Sequence, residues 1–227
     1  EQSTNVARNA VLASRLPESV PGTSIDRQCG SSQQAIHFAA QAVMSGSMDV
    51  VIAAGVESMT RVLMFTSSAL PQKAGMGFYQ SPAINQRYHN EVFSQFTGAE
   101  MMARKYGLGR EQLDAYALQS HQRAAAAQVQ AVGQIVPVAA RSAEAGELGE
   151  LHTQDEGVRA NATLEGIASV KLLQDGGVIS AANASQICDG ASGVMVVNER
   201  GLQALGVQPL ARIHHMSVLG HDPVIML

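Results

Sequence analysis

The chain has 227 residues, of which 46% are hydrophobic and 15% are charged, and its formal net charge is −4. This balance is typical of a globular protein with a large core, and it offers no clustered Lys/Arg for binding nucleic acid or an anionic membrane. No apolar run approaches the roughly 18 residues of a membrane span, and the N-terminal sequence lacks the regions of a signal peptide, so we expect a cytoplasmic protein.

The two cysteines, Cys29 and Cys188, lie far apart, and neither belongs to a short metal-ligand spacing. A disulfide between them would suit an exported protein, which the N-terminal sequence does not indicate. We therefore expect two reduced thiols and no metal site.

The first part of the chain predicts two helices followed by a strand. A helix over 5–15 ends before Pro17 and Pro21, and small apolar residues at spacings of three and four predict a second helix over 31–46. The continuous apolar run over 48–55 is typical of a strand buried on both faces. Helices and strands in this order indicate an α/β layered fold.

The middle of the chain has a less regular pattern. Residues 60–95 are rich in Gly, Pro, Ser and Asn and predict a long inserted excursion. Two helices are predicted over 97–106 and 110–131, separated by a turn that contains glycine. An edge strand is predicted over 135–138, since its proline cannot donate to a ladder, and a solvated loop is predicted over 141–157.

The last part of the chain predicts short elements bounded by glycine. Thr163 is expected to cap a helix over 164–173. A strand over 193–198 and a helix over 199–205 are predicted next, and a further strand is expected over 210–216.

Cys29 lies in a short polar turn that opens the second predicted helix. At a helix N-terminus, unpaired N–H groups and the helix dipole favour a thiolate over a thiol. A thiolate is a strong nucleophile toward an acyl group, so covalent chemistry would begin here. The alternative is a buried structural cysteine, and the turn alone does not decide between the two.

Several stretches in a fixed order resemble the thiolase family, whose members are acyl-CoA acyltransferases that make or cleave 3-ketoacyl-CoA. A lone Cys-Gly-Ser would carry little weight, whereas the ordered set extends over essentially the whole chain. The stretches are Asp26–Ser31, Ala54–Met59, Arg110–Ala117 with Ser120 and His121, Ala182–Gln186, and Asp189–Ala191.

The resemblance implies an α/β protein with an αβαβα layered fold of two similar halves. Residues 1–62 and 186–206 would belong to the N-terminal half, which contains the nucleophile helix. Residues 63–185 would form an inserted loop domain on the CoA side. Residues 207–227 would only begin the C-terminal half, most of which this sequence does not contain.

The resemblance also implies a thiolase-type acyltransferase with Cys29 as the acylated nucleophile. Ser185 and Ala181 would contact the pantetheine of coenzyme A, and Arg159 would lie near its nucleotide, where a guanidinium suits phosphate or adenine. No permanently bound cofactor is implied, because CoA and acyl-CoA are substrates. The expected partners are CoA thioesters, and the expected assembly is a homodimer or homotetramer.

Some elements of the family pattern do not occur in the chain. A complete thiolase also has an Asn-Glu-Ala-Phe segment, a Gly-His-Pro histidine and a second cysteine in Cys-x-Gly. Asp222 interrupts the nearest likeness to Gly-His-Pro, so we do not assign His221 as the base, and Cys188 is not the second catalytic cysteine. His37 is expected to be a packed core residue. The chain is therefore expected to be the middle of a thiolase and catalytically incomplete alone.

Two short segments bear on the size of the acyl group. Gln95 and Phe96 stand where many thiolases have a His-Met-Gly run that shapes a small-acyl pocket, and Arg27 and Gln28 precede the cysteine. This pattern resembles degradative thiolases of fatty acid β-oxidation that take longer or bulkier chains. Two alternatives stay open: a ketoacyl-synthase-like condensing enzyme, and a non-catalytic CoA-binding or dimerisation module.

Overall fold

The chain forms two compact units, described here from a computed structural model that covers residues 4–128, 133–142 and 146–227. The first unit comprises Glu1–Pro82 and Ile187–Leu219, and the second comprises Ala83–Gln186 and Gly220–Leu227. Both contain helices and a pair of strands, so the fold is mixed α/β.

The elements follow one another in mixed order along the chain. They are α1 (Val6–Ala13), α2 (Ser31–Met44), β1 (Val50–Ser58), α3 (Thr66–Lys73), α4 (Pro82–Arg87), α5 (Gln95–Tyr106), α6 (Arg110–Gln128), β2 (Val138–Ser142), β3 (Gly146–His152), α7 (Leu164–Ala168), β4 (Asp189–Val197) and α8 (Glu199–Leu205). No helix of the described ranges is long and apolar enough to cross a membrane.

In the first unit, α2 packs on the antiparallel pair of β1 and β4. The register runs from Val50 opposite Val197 to Ser58 opposite Asp189. The residues that are buried where helix and strand meet are mostly small: Ala39, Ala40 and Val43 of α2 and Ala53 of β1. Small side chains let the helix lie close to the strands, and burying this apolar surface is what stabilises the arrangement.

Polar contacts join the start of α8 to the start of β1. The side chain of Asn198 accepts from the backbone N–H of Gly201 (2.9 Å) and so caps α8, and it donates to the carboxylate of Asp49 (2.6 Å). Arg200 also donates to Asp49 (2.7 Å). This hydrogen bond from Arg200 lowers the pKa of Asp49 below its ordinary value.

The second unit combines α5, α6 and α7 with the antiparallel hairpin of β2 and β3. Ala103 of α5 and Ile167 of α7 are buried, and so are the acidic side chains of Glu100 and Asp114. Buried carboxylates are costly unless they are hydrogen-bonded, so their partners organise the unit.

The main helices and strands agree with the sequence predictions. Helix α2 and strand β1 lie within a few residues of the predicted bounds, as do β4 and α8. Thr163 caps α7, because its side chain accepts from the backbone N–H of Gly166. Helix α6 begins as predicted and is described as far as Gln128; the predicted residues 129–131 lie outside the described ranges.

The predicted burial of β1 on both faces is wrong for this chain. Val50, Ile52 and Val56 are 41%, 50% and 49% exposed, whereas Ala53 is buried. Side chains alternate between the two faces of a strand, so these three residues lie on the face opposite Ala53. Helix α2 covers only the face of Ala53.

Other predictions are corrected by local structure. The irregular stretch 60–95 contains the helices α3 and α4, and α7 ends at Ala168 rather than near residue 173. The described residues show no strand over 210–216, where Leu210 is fully exposed. A strand needs a neighbour to receive its backbone hydrogen bonds, and this segment pairs with none of the described strands.

Strands β2 and β3 pair with each other where an edge strand over 135–138 and a solvated loop over 141–157 are predicted; residues 143–145 of that loop lie outside the described ranges. Strand β2 starts only at Val138, directly after the proline that cannot donate. Strand β3 pairs with it from Val138 opposite His152 to Ser142 opposite Gly146. Every residue of β3 is exposed, so no buried face imposes an apolar alternation that a sequence pattern could reveal.

We expect Gly201→Ala to destabilise the first unit. A Cβ at Gly201 would lie 2.7 Å from the backbone oxygen of Asp49 and 3.0 Å from a methyl group of Val50. Overpacking of this kind costs about 1–3 kcal/mol, which exceeds the roughly 0.5–1 kcal/mol that alanine contributes to a helix over glycine. Urea denaturation measures the difference in unfolding free energy.

Gly190→Ala is the matched control, because a Cβ there would meet no atom within 4 Å. We expect this variant to unfold at the wild-type urea concentration or slightly above it. Equal midpoints for the two variants would contradict the described packing of α8.

Candidate active site

The turn that carries Cys29 is held by its own hydrogen bonds. Gln28 N–H donates to the carboxylate of Asp26 (2.9 Å), and Arg27 N–H donates to the hydroxyl of Ser31 (2.8 Å). The Ser31 hydroxyl in turn donates to the carbonyl oxygen of Gln28 (2.6 Å). The chain therefore enters α2 along a fixed path.

Cys29 stands immediately before Gly30, the N-cap residue of α2, and its thiol is free and exposed. The alternative of a buried structural cysteine does not fit this exposure. The structure thus presents a thiol to solvent at the start of a 14-residue helix. Such a thiol can reach a dissolved thioester without any rearrangement of the core.

The second half of β1 lies against the same helix terminus. A Cβ on Gly55 would lie 2.0 Å from the hydroxyl of Ser32, so the absence of a side chain at position 55 permits this approach. Ser32, Ile36 and Gly55 line a small cleft together with Ala53, Ala54, Ser192, Gly193 and Val194. Ser32 follows Cys29 by three residues, so the nucleophile turn lies close to the second half of β1.

Asp189 ties the turn after β1 to the start of β4. Its carboxylate accepts from the hydroxyls of Ser58 (3.1 Å) and Thr60 (2.5 Å) and from the backbone N–H of Thr60 (2.9 Å). The hydrogen bond from the Thr60 hydroxyl is the main cause that lowers the pKa of Asp189 below its ordinary value. An ionised Asp189 therefore stabilises the end of β1.

In the second unit, the structure brings the predicted CoA-side residues onto neighbouring segments. Ser185 and Ala181 are exposed, and so is Arg159. Gln186, which follows Ser185, donates its side-chain amide to the carbonyl oxygen of Gly157 (2.8 Å). The backbone N–H of Arg159 donates to Nδ1 of His121 on α6 (3.2 Å).

The histidines and the second cysteine considered in the sequence lie as follows. His37 of α2 is 7% exposed, which confirms its prediction as a packed residue. Cys188 is a free, exposed thiol, and His221 is exposed. The described residues contain no group of three or more His, Cys, Asp or Glu side chains that could hold a metal ion.

The sequence interpretation missed the buried polar residues of the second unit. Arg110 and Asp114 belong to a helical stretch of the family pattern, which gives neither of them a role, and no sequence pattern singles out Glu100. The available signal was the spacing of Arg110 and Asp114, which puts both on one face of α6, four residues apart.

The sequence matches the family model described as thiolase, N-terminal domain, over residues 1–200. Together with the cysteine turn at the start of α2, this match defines the class of the protein. The chain belongs to the thiolase family.

Individual relatives agree with this assignment over the full chain. This chain is 44% identical to a protein named steroid 3-ketoacyl-CoA thiolase FadA6 from Mycobacterium tuberculosis (strain ATCC 25618 / H37Rv). The match covers 100% of this chain and 54% of the relative. The chain is 38% identical to a 3-ketoacyl-CoA thiolase from Cronobacter sakazakii (strain ATCC BAA-894) and 36% identical to 3-ketoacyl-CoA thiolase FadA from Escherichia coli (strain K12). For each of these two, 100% of this chain and 56% of the relative are covered. The chain thus spans about half the length of these curated relatives.

We expect Asp189 to make unfolding sensitive to acid. Its pKa is lower in the folded state than the ordinary 3.8, so its stabilising effect is complete above that value and is lost as the pH falls through the folded pKa. Asp189→Asn removes this titration. The unfolding free energy of the variant should therefore fall less steeply than that of the wild type between about pH 5 and about pH 3.

Asp175→Asn serves as the control, because Asp175 lies in an exposed turn of the second unit. This variant should keep the wild-type slope when urea midpoints are measured across the same pH range. A wild-type slope in Asp189→Asn would contradict the assigned hydrogen bonds.

Proposed function

We propose that the protein is an acyl-CoA acyltransferase that cleaves 3-ketoacyl-CoA by thiolysis through an acyl-Cys29 intermediate. The observation that carries this proposal is the exposed thiol of Cys29 at the start of α2 in a chain of the thiolase family. The names of the relatives support the reaction type, since all three are called 3-ketoacyl-CoA thiolases.

The proposed reaction has two acyl transfers. The thiolate of Cys29 attacks the 3-keto carbonyl, and the bond between C2 and C3 breaks with its electron pair moving to C2. The resulting acetyl-CoA enolate takes up a proton and leaves. The thiolate of a second CoA then attacks the cysteine thioester, which releases the shortened acyl-CoA and restores Cys29.

Both transfers create an oxyanion, and backbone N–H groups near the nucleophile can stabilise it. We assign the backbone N–H of Cys29 as one such donor. The base that activates the thiol and the acid that protonates the enolate correspond to family motifs that do not occur in this sequence, so we assign neither to a residue here.

Coenzyme A would enter as a substrate rather than as a resident cofactor. We propose that Ser185 and Ala181 contact its pantetheine and that Arg159 lies near its nucleotide. The exposure of these residues and the link from Gln186 to Gly157 support a shared CoA-binding surface in the second unit. A guanidinium beside phosphate or adenine provides both charge and a planar stacking surface.

The proposal extends to the fold and the assembly. We infer an αβαβα layered arrangement with residues 63–185 as the inserted loop domain, and a homodimer or homotetramer in the cytoplasm. The exposed apolar face of β1 supports a further layer, because Val50, Ile52 and Val56 would otherwise lie in water.

Two alternatives differ in chemistry. A condensing enzyme of the ketoacyl synthase type would also use Cys29, whereas a CoA-binding or dimerisation module would not react. The match to the thiolase model favours thiolysis over condensation by a synthase. Covalent reaction at Cys29 separates the enzyme from the module.

We expect Cys29 to become acylated when the complete gene product that contains this sequence is incubated with acetoacetyl-CoA. The reaction should increase the mass of the Cys29 peptide by one acyl group, which hydroxylamine removes. Cys29→Ala should lose the adduct and about 10⁴-fold or more in thiolysis rate, because no other nucleophile replaces the thiolate. Peptide mass mapping and a thiolysis assay measure the two effects.

Cys188→Ser is the matched control, since Cys188 is the other exposed thiol. It should keep the Cys29 adduct and the thiolysis rate within about twofold of the wild type. An adduct at Cys188 alone, or full activity in Cys29→Ala, would contradict the proposed nucleophile.

We further propose that the acyl group is bulky, as in the relative named steroid 3-ketoacyl-CoA thiolase. Gln95 and Phe96 at the start of α5 support this, since they replace residues that shape a small-acyl pocket. We expect kcat/KM for a 3-ketoacyl-CoA with a steroid side chain to exceed that for acetoacetyl-CoA by tenfold or more, about 1.4 kcal/mol. A preference for acetoacetyl-CoA would refute the assignment while leaving the thiolase chemistry intact.

A further inference from the structure

The second unit buries polar side chains that the proposed acyl chemistry does not use. Glu100 is 2% exposed, Asp114 is 1% exposed, and Ser180 is fully buried. A buried carboxylate without hydrogen bonds is strongly destabilising, so each must be explained by its partners.

Asp114 has both carboxylate oxygens engaged. Nε of Arg110 donates to Oδ2 (2.6 Å), and the side-chain amide of Asn183 donates to Oδ1 (2.9 Å). Arg110 also donates to the carbonyl oxygens of Ile167 (3.0 Å) and Val170 (3.2 Å) at the end of α7. Arg110 thereby fixes the carboxylate of Asp114, and that carboxylate in turn fixes the side chain of Asn183.

Asn183 fixes the turn in which it lies. Its amide nitrogen donates a second hydrogen bond to the carbonyl oxygen of Val178 (3.1 Å), and its amide oxygen accepts from the backbone N–H of Ser180 (2.9 Å). One side chain therefore satisfies the backbone on both sides of Ile179. If Asn183 lost its hydrogen bond to Asp114, the buried carboxylate of Asp114 would lack one of its donors.

Glu100 holds the start of the same segment. Its carboxylate accepts from the backbone N–H of Val178 (2.9 Å) and of Ile179 (2.9 Å). A Cβ on Gly177 would lie 2.2 Å from Oε1 of Glu100, so the backbone passes directly over the carboxylate. The segment 177–183 thus has buried carboxylates at both ends, although it contains no helix or strand of its own.

We propose that Asp114, held by Arg110, and Asn183 are positioning residues that fix the turn Ser180–Asn183 and thereby place Ser185 for its contact with the pantetheine of coenzyme A. This inference rests on the proposed function, because it assumes that Ser185 contacts the pantetheine of coenzyme A. Asp114 is buried too deeply to contact CoA directly, so its hydrogen bond to Asn183 is the link through which it would act on CoA binding.

The expected size of the effect follows from the population of the competent turn. If the turn is correctly formed in only about a tenth of the molecules, the apparent dissociation constant rises about tenfold. Chemistry at saturating substrate is unchanged, because every bound complex has the turn in place. A positioning role therefore predicts weaker CoA binding with a preserved kcat.

We expect Asp114→Asn in the complete gene product to raise the dissociation constant for CoA about tenfold, as measured by calorimetry, and to leave kcat within about twofold. An amide at position 114 replaces one acceptor with a donor, which opposes either Arg110 or Asn183. Hydrogen exchange of the peptide over 178–186 should become faster in the variant. If Asp114→Asn does not fold, Asn183→Ala carries the same test from a half-buried turn.

Two controls separate positioning from general loss of stability. Glu111→Gln removes an exposed carboxylate from the same helix, and Ala103→Gly weakens the core of the same unit without altering a polar atom of the network. Both should bind CoA like the wild type at a temperature where all variants are folded. The double variant Asp114→Asn with Asn183→Ala should bind no more weakly than the weaker single variant, since the residues act as one unit.

The outcomes distinguish this inference from the function on which it rests. A wild-type dissociation constant in Asp114→Asn, or equal weakening in Ala103→Gly, would overturn the positioning role. If the wild-type protein forms no thioester at Cys29 and Asp114→Asn nevertheless weakens CoA binding, the proposed reaction is refuted and the positioning role is supported. Absence of CoA binding by the wild-type protein would overturn both.

Discussion

The close packing of α2 on β1 and β4 is the constraint on which the nucleophile depends. Small residues on the helix and a glycine on the strand let the two elements approach until Ser32 lies against the backbone at Gly55. A larger side chain at this contact would move the start of α2, and the turn that bears Cys29 would move with it. The position of the thiol is thus a consequence of core packing rather than of contacts made by the thiol itself.

In the second unit, buried side chains rather than close packing fix the segment that precedes the candidate CoA residue. The segment that precedes Ser185 forms no regular secondary structure, so it lacks the repeating hydrogen bonds that stabilise a helix or a strand. Buried carboxylates hold the segment instead: Glu100 of α5 accepts from its backbone N–H groups, and Asp114 of α6 accepts from the side chain of Asn183. A segment held in this way can be exposed on one side for a ligand and still keep a defined backbone.

Much of the first unit could be predicted because its elements have a strong local pattern. The apolar run of β1 and the spaced small residues of α2 follow directly from the periods of strand and helix. The exposure of one face of β1 could not be predicted, because a run of apolar residues does not say what covers it. The hairpin of β2 and β3 was missed since its exposed strands carry no apolar alternation.

The candidate site shows the same division. The position of Cys29 directly before α2 could be predicted from the polar turn and the small-residue helix that follows it. The partners of Asp114 could not, since Asn183 lies far away in the sequence, and only the folded chain brings the two together. A hydrogen bond between polar residues that are so far apart in the chain produces no local pattern that a single sequence could reveal.

Rapid-quench kinetics on the complete gene product decide whether Cys29 carries the acyl group during turnover. We predict that a thioester at Cys29 forms at least as fast as kcat and that added CoA discharges it at a rate that also equals or exceeds kcat. Product formation without this thioester, or discharge slower than turnover, would contradict the proposed role of Cys29.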